Sequence, residues 1–446
     1  MPLIVPDTGE IRKLLAERVD QQKQALGIVV GIVEPAGRRV VASGTLARGD
    51  PRPLDGDTIF EIGSVTKVFT SLVLADMVSR HEVALHDPAA KYLPENVRMP
   101  QRSGKSITLR DLSTHSSGLP RLPGNFTPKD PFNPYACFSA DDLYRFLSGY
   151  ELPRNPGSEF EYSNLGAGLL GHLLAHRAGT DFESLIRTCI TRPLLMPDTG
   201  ITLSPSMKQH MATGHNAMLA PAPNWDFPAL AGAGALRSSA NDMLTFLEAF
   251  LGYKETPLAP AMKLMLEVRR PAGQTNIGLA WLIYANDGRE IAWHNGGTGG
   301  FRSFVGFDPK ERIGVIVLSN AGGVDDIGFH LLNPKLPLAN PEPPTQHEEM
   351  NPDTRLLHNY TGRYQVAPNL ILEITCGDGQ LFAQGFAQAN GQALALPKFE
   401  LFAEGEKKFF AKVSDQQITF ETGPAGRATS LILRRAGQTH LAARLP

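Results

Sequence analysis

The stretch Val65–Val78 constrains the fold more than any other part of this chain. Apart from Lys67 and Asp76 it carries no charge, and it is dense in Val, Leu, Phe, Ala and Met. That pattern predicts a helix apolar on most sides. Such a helix has no solvent face, so it belongs at the centre of its domain with other elements packed around it. Ser64 stands at its N-terminus, where unpaired backbone N–H groups and the helix dipole favour developing negative charge. Lys67 follows three residues later, and residues three apart on a helix are surface neighbours, so its amine lies beside the Ser64 hydroxyl. A lysine carried into a buried helix must be paired or lose its proton. A neutral amine beside a hydroxyl is a base beside a nucleophile. No other Ser-x-x-Lys occurs in the sequence. Alone, such a pair reads as a capping serine and a snorkelling lysine; two further clusters argue otherwise.

The first cluster is Pro156–Gly166, a Pro/Gly-rich loop that leads into the apolar helix Ala167–Ala175 and places Tyr162 and Asn164 at the loop-to-helix junction. The second is Ile291–Phe304, where a strand runs through His294 into Gly296, Gly297, Gly299 and Gly300, glycines that let backbone approach a ligand closely. Strands Phe301–Phe307 and Ile313–Leu318 follow as a hairpin around Asp308-Pro309-Lys310-Glu311. A second Tyr-x-Asn, at Tyr284–Asn286, opens the hairpin turn Asn286-Asp287-Gly288 and is set aside.

In this order and spacing, Ser64-Val65-Thr66-Lys67, Tyr162-Ser163-Asn164 and His294-Asn295-Gly296 resemble the three motifs of the serine β-lactamase and penicillin-binding-protein superfamily. The match is to its class C branch, which also holds carboxylesterases, D-aminopeptidases and DD-carboxypeptidases. Gly297-Thr298-Gly299-Gly300-Phe301 and Thr114–Pro120 are similar to further stretches of that branch, and the resemblance covers roughly residues 10 to 330. It implies a metal-free and cofactor-free serine hydrolase working through an acyl-enzyme. Ser64 would be the nucleophile, Lys67 and Tyr162 its proton-transfer partners, and the amides of Ser64 and Gly297 the oxyanion site. Which of Lys67 and Tyr162 takes the serine proton stays open. Asn164, His294, Gly296, Gly297 and Asn320 are the implied substrate-binding residues. His294 stands where class C β-lactamases carry lysine, and a mostly neutral imidazole holds a substrate carboxylate less well than an ammonium. The substrate class is therefore a β-lactam or D-residue peptide amide, with a small ester as the alternative. A weakly catalytic acyl- or peptidoglycan-binding module is the rival from another class. Intact Ser64, Lys67 and Tyr162 argue against it.

At 446 residues and 42% hydrophobic, the chain exceeds one average domain. The expected fold is α/β (α+β): one antiparallel sheet made from both ends of residues 1–335, flanked by helices, with an all-helical subdomain beside it. Ile11–Ala25 reads as an amphipathic helix, with strands at Gly27–Val33 and Arg39–Thr45. Residues 334–354 carry Pro334, Pro337, Pro341, Pro343, Pro344 and Pro352, a composition that makes 336–354 a semi-rigid linker. Residues 355–446 show short alternating strands with turn signals, which predict a small antiparallel barrel of lipocalin-like type.

A formal net charge of -2 gives no electrostatic case for nucleic acid. No apolar run approaches the roughly 20 residues of a membrane span. The expected partner is a small-molecule or short-peptide substrate, with homo-oligomerisation left open. Met1–Asp7 has no signal-peptide pattern, so a cytoplasmic location is expected, or a periplasmic or secreted one if the sequence is a mature form. Cys137, Cys189 and Cys376 are too scattered for a disulfide framework and are expected to behave as small buried residues. His172 and His176 lack the glutamate of a zinc-binding His-Glu-x-x-His and read as a packed or surface pair.

Overall fold

A computed structural model describes residues 5–446 except 287, 344, 346, 390–391, 396–397, 415 and 436–437, with side chains of 387–389 and 392–395 also outside the description. The chain divides into two compact units. One comprises residues up to Gln21, Ala25–His215 and Pro221–Ala339; the other comprises Gln22–Gln24, Asn216–Ala220 and Asn340–Pro446.

The first unit is built on an eight-stranded antiparallel sheet. Its strands are β1 (Gly27–Glu34), β2 (Gly37–Gly44), β3 (Arg270–Ala272), β4 (Thr275–Ile277), β5 (Leu282–Asn286), β6 (Arg289–Gly297), β7 (Arg302–Asp308) and β8 (Ile313–Ser319). Their spatial order is β2-β1-β8-β7-β6-β5-β4-β3, so both ends of the unit meet where β1 pairs with β8. β8 is buried at every position because its two faces are both covered. Cβ atoms added at Gly31 and Gly314 would meet Leu244 and Leu247 of helix Ala240–Phe250, whereas one at Gly306 would meet Leu332 of helix Asp325–Leu332.

Helix α1 (Thr8–Ala16) starts on an Asp7/Glu10 capping box and ends in a π turn, Glu17–Gln21, rather than running on to Ala25. Helix α2 (Thr66–Ser79) is the apolar helix expected from the sequence, with Thr66–Ala75 wholly buried. Its first turn is stitched to the segment 230–236: Thr70 Oγ1 donates to the Gly232 carbonyl (2.9 Å) and the Leu236 N–H donates to Thr66 Oγ1 (3.1 Å). Helix α3 (Asn164–Ala178) reaches that segment from the other side. Gly171 makes the approach possible, since a Cβ there would sit 2.9 Å from the Gly232 Cα.

In the second unit eight strands close into an antiparallel barrel: β9 (Gly362–Ala367), β10 (Leu370–Gly377), β11 (Gln380–Ala389), β12 (Phe399–Ala403), β13 (Lys408–Phe410), β14 (Gln416–Thr422), β15 (Ala428–Arg435) and β16 (Gln438–Arg444). The ring runs β9-β16-β15-β14-β13-β12-β11 and returns through β10, while Gln392–Ala395 adds a hairpin strand to β11. Alternate residues such as Leu372, Ile374, Leu381, Leu401, Ile418, Phe420, Leu431 and Leu433 point inward with Tyr364 and fill it with side chains. The alternation that predicts seven of these strands is weakest in Gln438–Arg444, which presents a single buried residue.

Of the three cysteines only Cys189 is buried; Cys137 is exposed and Cys376 intermediate. Among the described residues no helix is long and apolar enough to cross a membrane, and no three His, Cys, Asp or Glu residues gather as metal ligands. His172 is half-buried with its Nε2 2.6 Å from the Tyr144 hydroxyl, whereas His176 is exposed.

Candidate active site

Ser64 lies in a 3-10 turn, Gly63–Val65, that leads directly into α2. The end of β6 passes close above this turn because glycine stands on both sides of the approach. Gly63 has φ +49 and a Cβ there would lie 2.6 Å from the Gly297 nitrogen; a Cβ on Gly296 would lie 2.0 Å from the Ile62 carbonyl oxygen. Only glycine adopts the first position without strain, and no side chain fits either gap. The Ser303 hydroxyl, on the neighbouring β7, donates to the same Ile62 carbonyl at 2.8 Å and fixes sheet to turn. Ser64 is half-buried and Gly297 exposed, so both face open space.

Lys67 is buried one helical turn below the serine. Its Nζ lies 2.8 Å from Ser64 Oγ and 2.7 Å from the Ala233 carbonyl. Burial, and then the Arg121 charge, hold its pKa well below that of an ordinary lysine. A neutral amine placed so keeps one N–H for Ala233 and points its lone pair at the serine hydroxyl.

Tyr162 closes the site from the loop before α3. Its ring centroid is 5.0 Å from Lys67 Nζ and 5.2 Å from the Arg121 guanidinium carbon. Burial pushes the phenol up to about 12, although its hydrogen bond to Ser64 and the Arg121 charge pull the other way. This loop is sewn to residues 115–121. The Glu161 N–H donates to the His115 carbonyl (2.7 Å) and the Ser163 N–H to His115 Nδ1 (3.1 Å). The Ser163 hydroxyl donates to the Pro120 carbonyl (2.6 Å), and the amides of Asn164 and Leu165 to the Arg121 carbonyl (3.0 and 3.2 Å). These contacts satisfy part of the unpaired start of α3. The His115 ring lies 4.4 Å from that of Tyr162.

The remaining expected residues fall into two groups. Asn164 sits at the first position of α3 and its amide donates to the Tyr135 hydroxyl (2.9 Å), at the edge of an aromatic wall in which Tyr135 meets Phe227 (4.5 Å) and Trp225 (5.6 Å). His294 is fully buried, with its ring 6.2 Å from that of Tyr162. Nδ1 lies 2.6 Å from the Asn295 carbonyl, which makes it the donor and leaves the Nε2 lone pair facing inward. Burial, then the Lys67 charge, lower its pKa to about 3, so it is neutral at pH 7. Asn320 corrects the expectation. It is fully buried, accepts from the Gly27 N–H (2.8 Å) and donates to the carbonyls of Thr45 and Leu46 (3.1 and 3.0 Å). Its amide ties β8 to the ends of β1 and β2 and has nothing left for a ligand.

Sequence reasoning missed Arg121, Tyr135 and Ala233. Arg121 directly follows the family-like stretch Thr114–Pro120, a signal that was within reach. Ala233 contributes only a carbonyl, which leaves no trace in residue type. Glu61, two residues ahead of Gly63, is also buried: its Oε1 accepts from the Trp225 N–H (3.0 Å) and from Arg237 (3.2 Å), anchoring the aromatic wall beneath the serine turn.

A family profile described as Beta-lactamase matches residues 11–329, and one described as a domain of unknown function (DUF3471) matches residues 346–443. The chain is 29% identical over 334 residues to the D-alanyl-D-alanine-carboxypeptidase/endopeptidase AmpH of Escherichia coli K12, covering 71% of this chain and 85% of that protein. A β-lactamase of the same organism is 26% identical over 345 residues, covering 70% and 88%. Among solved structures, a class C β-lactamase from Rhodobacter sphaeroides superposes with a TM-score of 0.60 at 26% identity, over 70% of this chain and 94% of its own. A β-lactamase/D-alanine carboxypeptidase from Yersinia pestis complexed with citrate gives 0.62 at 25%, over 71% and 93%.

Proposed function

The chain belongs to the β-lactamase family and is a serine hydrolase, and from that premise we propose that it cleaves amide bonds of β-lactam or D-amino-acid peptide type through an acyl-enzyme on Ser64. The observation that carries this reading is the buried Lys67 amine 2.8 Å from Ser64 Oγ, with Tyr162 stacked over it. Neutral Lys67 takes the serine proton as Oγ attacks the carbonyl carbon. The developing oxyanion is held by the amides of Ser64 and Gly297, brought together by the glycine-to-glycine approach of turn and strand. Tyr162, a phenol at neutral pH, gives its proton to the leaving nitrogen and is reprotonated by the Lys67 ammonium. Water then attacks the acyl-enzyme and passes its proton back along the same pair. The electrostatics favour Lys67 over Tyr162 as first base, because burial drives the lysine toward its neutral form and the tyrosine away from phenolate.

Small-ester hydrolysis is a second reading, favoured by one observation: the third motif carries a neutral, buried His294 in place of an ammonium. Intact-mass spectrometry after exposure to a β-lactam, a D-alanyl amide and an activated ester separates the two. An adduct on Ser64 from the β-lactam or amide, released on the timescale of turnover, supports amide hydrolysis. Acylation by the ester alone makes the protein an esterase, and absence of any Ser64 adduct refutes both.

A further inference from the structure

We propose that Arg121 determines substrate specificity by binding a carboxylate of the substrate at the mouth of the Ser64 site. The inference rests on the acyl-enzyme reading above and adds to it the charge that the substrate carries.

The argument starts from which cations the site can offer an anion. Lys67 is buried beneath the serine, and the third motif supplies only a neutral histidine. Arg302, next to Gly297, turns its guanidinium onto the carbonyls of Thr298 and Phe301, both at 2.7 Å. Arg154 pairs with Glu159 and Glu161, and Arg237 with Glu61. Arg121 differs from all of these. It is exposed, among the described residues its guanidinium makes no hydrogen bond or ion pair, and it lies over the face of the Tyr162 ring, 5.2 Å away.

Its position is nonetheless fixed. The Arg121 carbonyl takes the first two amides of α3, and Pro120 and Pro123 flank it closely, so the residue cannot leave the site without freeing the start of that helix. The guanidinium rests on the Tyr162 ring face and is open to solvent, so its N–H donors are free to take an incoming anion. Its planar fork of N–H donors matches a carboxylate in two parallel hydrogen bonds. A substrate carboxylate there would neutralise the charge and fix the substrate against Tyr162 and Ser64. The carboxylate can belong to the acyl part of the substrate or to its leaving group; the recognition chemistry is the same.

The test uses the full-length protein and two matched pairs of chromogenic esters. In one pair the acyl part ends in a carboxylate or its methyl ester; in the other the leaving group carries a carboxylate or its primary amide. Fluorophosphonate labelling of Ser64 is run alongside. Arg121→Gln is expected to cut the charged-to-neutral ratio of kcat/KM roughly tenfold in at least one pair, mainly through KM, as loss of a charge-assisted hydrogen bond does. Arg121→Lys should recover part of that ratio. The responding pair identifies which side of the scissile bond carries the anion. Raising salt should shrink the wild-type preference, because the guanidinium is exposed to counterions. Ser64 that labels normally while both ratios stay within about twofold of wild type overturns the proposal and leaves the acyl-enzyme reading intact. Wild-type protein that does not label at Ser64 overturns the acyl-enzyme reading, and this proposal with it.

Discussion

Replacing Gly296 with alanine tests whether the end of β6 builds the oxyanion site. The added Cβ would lie 2.0 Å from the Ile62 carbonyl oxygen and 2.5 Å from Ser303 Oγ, in the middle of the hydrogen bond that joins those two. Ordinary contact begins near 3.4 Å, so strand and turn must part by roughly 1.4 Å. The Ser303 hydroxyl could rotate away, but the Ile62 oxygen is backbone at the start of the Ser64 turn and cannot yield as a side-chain end would. Overpacking of this kind costs about 1–3 kcal/mol of stability. The displacement also carries the Gly297 amide away from Ser64. Loss of one oxyanion donor costs about 10²–10³ in rate, and a 1 Å misplacement about 10². We therefore expect Gly296→Ala to remain folded, with a lower urea midpoint, and to acylate Ser64 about 100-fold or more slowly in stopped-flow release of nitrophenol from an activated ester. Gly149→Ala is the control, since a Cβ there meets nothing within 4 Å. If Gly296→Ala acylates within about threefold of wild type, the close approach of strand and turn does not serve the chemistry.

Ser64→Ala should abolish covalent labelling and lower kcat by roughly 10⁶-fold; labelling that persists and maps to another serine sinks the assignment. Tyr162→Phe should slow acylation and deacylation together by about 10²–10⁴-fold, with near-wild-type turnover making the tyrosine structural. The lowered Lys67 pKa should carry the acid limb of the kcat/KM profile well below that of an ordinary lysine, and a Tyr162 pKa of about 12 should hold the alkaline limb above that of an ordinary tyrosine; limbs at the ordinary lysine and tyrosine positions would refute this. Lys67 binds its proton more weakly folded than unfolded. Stability should therefore rise with pH between its folded pKa and about 10.4, its unfolded value, and Lys67→Met should flatten that slope in pH-dependent urea denaturation. Residues 1–339 expressed alone should still label at Ser64; a soluble, folded fragment that does not label would show that acylation needs the remaining residues.

The local chemistry of this protein is legible in its sequence because it depends on spacing along single elements. Val65–Val78 has no polar face, so it forms the central helix, and the three-residue interval puts Lys67 on Ser64 before any tertiary contact forms. Alternation with turn signals likewise predicts seven of the eight barrel strands, while the weakly patterned last one, Gln438–Arg444, escapes it. Tertiary structure decided what depends on which distant backbones meet. Asn320 looks like a cleft residue at a strand end, yet the join of β8 to β1 brings Gly27, Thr45 and Leu46 to its amide and consumes it. His294 reads as a mostly neutral substrate-binding residue, and the depth to which β6 carries it removes its exposure and lowers its pKa to about 3. Arg121 gains its place only because residues 115–121 dock on the start of α3. Burial and the direction of an electrostatic field are sums over the whole packed unit, and no interval along the chain contains them.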